Sequence, residues 1–163
     1  MKLKDILAIS GKPGLYQFIS QGRNGIIVES FDTKKRMAVS AATKVSSLED
    51  IAIFTETEEA ALRDIFKKFH ELEDGKQTIS HKSSNQELKA KFEEVVPEYD
   101  RDRVYTSDIK KVISWYNLVM EYDLFDPNEP EEDEEESKEK ADSASEKVKN
   151  EKKPEDTKEE EKK

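Results

Sequence analysis

The chain has no cysteine. Disulfides, thiolate nucleophiles, cysteine zinc sites and cysteine-ligated clusters are therefore excluded. Long apolar runs are missing too. The opening Met1-Lys2-Leu3-Lys4-Asp5-Ile6-Leu7-Ala8-Ile9 places basic residues before an apolar stretch, but Ser10-Gly11-Lys12 ends it after four residues. A secretory signal needs a longer stretch, and no segment approaches the ~20 apolar residues of a membrane span. A cytoplasmic protein without a membrane partner is expected. Histidine is scarce: His70 and His81 are eleven residues apart, with no carboxylate pattern to fix a metal, and read as surface residues. No Gly-x-Ser-x-Gly elbow is present. Acidic pairs are so abundant that none singles out a general acid and base. No catalytic residue, metal or cofactor is expected, and the chain does not read as an enzyme.

What is present is charge, unevenly spread. Against a net charge of −10, residues 1–54 carry eight Lys or Arg and five Asp or Glu. The stretch 127–163 carries nine basic residues, sixteen acidic ones and a single large aliphatic, Val148. Such a segment cannot bury enough apolar surface to offset its backbone entropy. Residues 126–163 are expected to be a disordered acidic tail, competing with polyanions for basic turns nearer the front of the chain. Overall acidity argues against general coating of nucleic acid, which draws on counterion release by a basic surface.

Before the tail the pattern changes once. Residues 3–9 suit one or two helical turns, with Leu3, Ile6 and Leu7 on one side. Strand-like runs follow at 15–20, 26–31 and 36–40, with further strands near 43–45 and at 51–54. They are separated by Gly11-Lys12-Pro13-Gly14, Gln21-Gly22-Arg23-Asn24-Gly25 and Asp32-Thr33-Lys34-Lys35. This spacing predicts a small antiparallel β-barrel, SH3-like or Sm-like, over residues 1–55. From Thr55 the period turns helical. Thr55-Glu56-Thr57-Glu58 and Ser84-Asn85-Gln86-Glu87 both have capping-box spacing. Apolar stripes follow each: Leu62, Ile65, Phe66, Phe69 and Leu72, then Leu88, Phe92, Val95 and Val96. Gly75 and Pro97 are natural stops. A third helix from Thr106–Asp108 to about Tyr122 carries Ile109, Val112, Ile113, Tyr116, Val119 and Met120 on one face. The fold expected is α+β: a barrel over 1–55, a three-helix domain over 56–125, and the tail.

Candidate binding residues fall in three groups. Lys12, Arg23, Lys34, Lys35 and Arg36, with Tyr16 and Phe18, would form a basic face with stacking aromatics, as in small barrels that bind single strands; soluble turns and core aromatics are the preferred reading. Gly11-Lys12-Pro13-Gly14 lacks the glycine spacing and hydroxyl of a phosphate loop, and Pro13 removes an amide donor, so it reads as a turn. Tyr99-Asp100-Arg101-Asp102-Arg103-Val104-Tyr105 reads first as an Arg–carboxylate network and second as a display of Arg101 and Arg103 to a partner. Trp115, Tyr116 and Tyr122 would serve a partner surface if they are not core.

Several stretches together resemble a known family: Ile9-Ser10-Gly11-Lys12-Pro13-Gly14-Leu15-Tyr16, Gly25-Ile26-Ile27-Val28-Glu29-Ser30, Ser47-Leu48-Glu49-Asp50-Ile51-Ala52-Ile53-Phe54-Thr55, Tyr99–Tyr105, and Ser107-Asp108-Ile109-Lys110-Lys111 with Trp115-Tyr116-Asn117. It is a family of uncharacterised bacterial proteins, typical of the Bacteroidetes. They pair an N-terminal domain of unknown function with a helical C-terminal one and a variable charged tail. The resemblance covers residues 1 to about 125 and implies a bacterial cytosolic protein. It carries over no activity. The function expected is a non-catalytic interaction or adaptor protein with a protein partner, and the alternative is a regulator that binds RNA or DNA through the basic turns.

Overall fold

A short 3-10 turn, Leu3–Asp5, leads into β1 (Ile6–Ile9), β2 (Tyr16–Gly22), β3 (Gly25–Ser30), β4 (Arg36–Ser40) and β5 (Val45–Ser47). A small hairpin, β6 (Ala52–Phe54) and β7 (Glu59–Ala61), precedes α1 (Leu62–Leu72), α2 (Asn85–Val95) and α3 (Thr106–Glu121). The structure is a computed structural model, and it describes residues 2–128. Residues 129–163, nearly all of the acidic tail, lie outside the described residues, and the expectations of disorder and of competition for the basic turns lie there with them.

The five strands form one antiparallel sheet in the order β4-β3-β2-β1-β5. Residues 6–9, expected to be helical, are therefore a strand. β1 lies between β2 and β5, with Ile6 facing one core and Leu7 and Ile9 facing another. A strand covered on both faces reads as an unbroken apolar run, which periodicity alone cannot tell from a short helix.

No ladder joins β4 to β5 among the described residues, so the pairing is that of an open sheet rather than a closed barrel. The sheet is nevertheless coiled. Only Ala41-Ala42-Thr43-Lys44 connects β4 to β5, which are opposite edges. Five residue steps reach at most about 18 Å. In a flat sheet the edges would stand ~19 Å apart across the strands alone. Moreover, Ser40 pairs at the far end of β3 from the end where Val45 meets Ile9. The register slip between Phe18 and Ser20 adds the local twist that such coiling requires.

The coiled sheet has a core of its own, formed by Leu7, Ile9, Tyr16, Val28 and Val39. Ile6 on its other face, with Leu15, Phe31 and Leu48 next to the strand ends, joins the main core beside Phe66, Phe69, Phe92, Ile113 and Tyr116 of the helices. That core runs continuously across residue 55, and residues 2–128 lie within one compact unit. Tyr116 is central. Its ring stacks on Phe69 at 4.9 Å and meets Phe66 edge-on at 5.8 Å.

The helix stripes match expectation at Leu62, Ile65, Phe66, Phe69, Leu88, Phe92, Val95, Ile109, Val112, Ile113, Tyr116 and Val119, all buried. Two residues of the stripes depart from this: Leu72 lies exposed and Met120 is half-buried. The capping box at Ser84 is present: its Oγ accepts from the Glu87 amide, and the Glu87 carboxylate accepts from the Ser84 amide at 2.9 Å. The matching spacing at Thr55 does something else. Thr55 Oγ1 donates to the Glu58 carbonyl at 2.6 Å and accepts from its amide at 3.0 Å, closing the β6–β7 turn, and α1 begins only at Leu62.

Candidate binding cleft

Two loops of the sheet are clipped together at one end. Lys12 lies in the β1–β2 loop, where Gly11 and Gly14 take φ of 78° and 84° and so let the chain reverse without steric cost. The buried Tyr16 donates its hydroxyl to the Pro13 carbonyl at 3.0 Å, holding the loop's shape. The Ser10 amide donates to the Lys44 carbonyl at 3.0 Å, which brings the β4–β5 connection alongside.

Across from these loops lies α3. Lys110 and Ser114, like Lys111 and Trp115, are four apart and so share a face of the helix. The α1–α2 loop is fastened to the same helix by Asn117. Its Oδ1 accepts from the Thr78 amide at 2.8 Å, its Nδ2 donates to the Ile79 carbonyl at 3.0 Å, and its own carbonyl accepts from Gln77 at 3.0 Å. This fastening carries His81 to the rim.

Between them is a cleft of about 600 Å³, bounded by Lys12, Lys44, Lys110, Lys111, His81 and the half-buried Trp115. Its lining includes no carboxylate and no arginine. Lys111 has Asp108 at 3.6 Å. Lys12, Lys44 and Lys110 have no ion-pair partner among the described residues. A second cavity of about 270 Å³ shares Ile51, Lys111 and Trp115 with the first, and its other walls include Ile53, Phe54, Val104 and Val112 together with Arg103 and Asp108. Trp115 and Ile51 thus stand between a space lined by lysines and a smaller one whose mostly apolar walls also carry Arg103 and Asp108.

The basic turns do not converge into one face. Arg23 precedes β3 and Lys34 follows it, so a whole strand of ~20 Å separates them. Arg36 pairs with Glu29 at 2.9 Å. The Lys34 ammonium lies over the rings of Phe31 and Tyr122, at 5.5 and 5.6 Å. Lys35 is exposed, and its carbonyl accepts from the Ser30 amide. Phe18 is exposed, but Tyr16 is buried in the sheet's own core. Of these residues only Lys12 lines the cleft.

Arg101 and Arg103 are engaged locally. Arg101 pairs with Glu93, approaches Glu56 at 4.0 Å and stacks over Tyr99 at 5.0 Å. Arg103 donates to Asp100 at 2.7 Å and to the Thr55 carbonyl at 3.4 Å, and stacks over Phe54 at 4.3 Å. The Arg103 hydrogen bond, with help from the Asp102 amide, holds the Asp100 carboxyl below its ordinary range. Trp115 alone of the three aromatics borders the cleft, because Tyr116 is fully buried and Tyr122 stacks on Phe31.

Sequence reading missed Lys44, Lys110 and Lys111 and set His81 aside. They come from three separate elements, and Lys12 from a fourth, which spacing cannot bring together. One local signal existed: two adjacent lysines a helical turn before a serine and a tryptophan. Among the described residues no group of three or more His, Asp or Glu is placed to hold a metal. No helix there is long and apolar enough to cross a membrane.

Fold and cleft together define an α+β protein in which, among the described residues, a coiled sheet and three helices share a core and leave a lysine-lined recess. Residues 3–48 match a domain of unknown function (DUF5606), and residues 51–119 match a second domain of unknown function (DUF6852). A solution NMR structure from Bacteroides vulgatus, a structural genomics target, is 48% identical with a TM-score of 0.65. The match covers 77% of this chain and 90% of that one. The chain belongs to the bacterial family that joins these two domains in this order, as the resemblance implied. No curated protein matches it.

Proposed function

We propose that this protein is a non-catalytic binding module of the bacterial cytoplasm, and that it captures an anionic partner in the lysine-lined cleft. One observation carries the reading. A chain with a net charge of −10 gathers four lysines and a histidine around a recess and keeps carboxylates out of its lining. Like charges so gathered repel one another, although Lys12, Lys44, Lys111 and His81 are exposed and the repulsion is screened by water and salt. An anion that fills the recess relieves this, and the focused positive potential draws it in.

An adaptor surface built on exposed aromatics has less support, since Tyr116 is core and Tyr122 is stacked. Nucleic-acid binding through the basic turns has less support too, since Arg23 is a strand's length from Lys34. The cleft remains open to anions of either origin.

The test is calorimetric titration of the full chain with pyrophosphate, a mononucleotide, a hexaglutamate peptide and a short single-stranded oligonucleotide, at low and at moderate salt. At least one should bind, weaken as salt rises, and weaken again in the double variant Lys12→Glu, Lys44→Glu. If none of them binds, or if binding ignores the charge reversal, the reading fails.

A further inference from the structure

The cleft's chemistry narrows its ligand. We infer that it takes a mononucleotide-like molecule, with phosphate held by the lysines and a planar ring laid against Trp115; this rests on the binding reading above.

Volume is the first argument. At about 600 Å³ the cleft lies in the range of small-molecule sites, roughly 300–1,000 Å³. A macromolecular partner would need a broad face of ~800 Å².

The kind of cation is the second. Every permanent positive charge in the lining is a lysine. Arginine's planar fork matches carboxylates and phosphates in pairs, whereas lysine is a compact point charge that binds phosphate without fixed geometry. Three of these ammoniums lack a carboxylate partner among the described residues. To satisfy three in one small space, the ligand must be densely charged. A phosphate monoester carries about −1.5 to −2 on one group, whereas a peptide would need several carboxylates spread along its backbone. Ser10, Ser46 and Ser114 add hydroxyl donors along the same walls.

The third argument is the neighbourhood of Trp115. This indole stands where the cationic cleft meets the smaller cavity, whose walls are Ile53, Phe54, Val104 and Val112 with Arg103 and Asp108 among them. A ligand that is anionic throughout would meet apolar walls and the Asp108 carboxylate across that boundary, where Arg103 is already paired with Asp100. One with a charged head and a flat, weakly polar body would use both sides, with the ring stacked as bases stack on aromatic side chains.

The experiment is calorimetry with ADP, adenosine, pyrophosphate, hexaglutamate and a short oligo(dA). It uses the full chain and the variants Lys12→Glu, Lys110→Glu, Trp115→Leu and Trp115→Phe, each checked for folding by circular dichroism. ADP should bind more tightly than adenosine and more tightly than pyrophosphate. Each lysine reversal should weaken ADP about tenfold or more. Trp115→Leu should weaken ADP but leave pyrophosphate unchanged, and Trp115→Phe should restore most of the ADP affinity. As the chain's single tryptophan, Trp115 should also change its fluorescence when ADP binds to the wild type. The inference is overturned if pyrophosphate binds as tightly as ADP. It is overturned equally if the oligonucleotide or hexaglutamate binds while ADP does not; either result leaves the anion-binding reading standing. Failure of every anion removes both.

Discussion

At Gly25 the β2–β3 hairpin leaves no room for a side chain. A Cβ there would lie 1.9 Å from the Val39 carbonyl oxygen and 2.9 Å from the Ala41 amide. Both neighbours are backbone, and the Ala41 amide is already committed to the Asn24 carbonyl at 3.0 Å. Neither can retreat without opening the β3–β4 ladder. Gly25→Ala should therefore destabilise the protein by ~2–3 kcal/mol, at the upper end of overpacking costs. Gly14→Ala is the contrast. Its φ of 84° disfavours a side chain, but nothing lies within 4 Å of the added carbon, so the cost should be about 1 kcal/mol of backbone strain. Urea midpoints of the two variants check the difference. Equal losses would mean that strain, and not contact, sets the requirement at Gly25. Within the turn expected over Gln21-Gly22-Arg23-Asn24-Gly25, the reversal falls on Arg23 and Asn24, between the paired Gly22 and Gly25, and at Gly25 the close backbone approach requires glycine.

Among elements, α2 shows how much a local signal can settle. Ser84 and Glu87 satisfy two orphan amides reciprocally, and the hydrogen bonds from Ser84 hold the Glu87 carboxyl below its ordinary range. Ser84→Ala should cost about 1 kcal/mol, read as a lower urea midpoint with an unchanged slope. No loss would show that water replaces the cap. Thr55 and Glu58 have the same spacing and a similar helical stripe after them, yet they close a hairpin. The deciding facts are distant: Ala52–Phe54 pair with Glu59–Ala61, and Thr55 bridges Tyr99. This marks the limit of reading elements from sequence. All three helices were legible, because a 3.6-residue stripe and its caps are properties of one segment. The first strand was not, because burial on both faces erases alternation. Coiling of the sheet was implicit in the short 41–44 connection, but only once the strand order was known.

At the scale of the whole molecule, the two matched segments fold around one core, and the cleft gathers its cations from both. A site assembled from four elements has no spacing to recognise, so sequence placed Lys12 and Trp115 among the candidates without joining them. The shared core makes a global prediction. Tyr116 lies fully buried between Phe66 and Phe69, with its hydroxyl donated to the Lys76 carbonyl at 2.9 Å. Burial first, and then the charge on Glu73, push its hydroxyl up to about 12 from an ordinary 10. In the unfolded chain the phenol loses its proton near pH 10, whereas in the folded protein it holds that proton until about 12. Its contribution to stability is thus complete below pH ~10 and is lost as pH rises toward about 12. Burial, followed by charges on Glu121 and Asp32, moves Tyr122 in the same direction, so some alkaline slope belongs to that residue. Tyr116→Phe should therefore flatten, without abolishing, the fall in unfolding free energy above pH ~10. At neutral pH the loss of the hydroxyl's hydrogen bond should cost about 1 kcal/mol. Urea unfolding of both proteins across that window decides the matter. If their stabilities fall in parallel above pH ~10, Tyr116 already reaches solvent in the folded state, and the helices do not close over it as a sealed core.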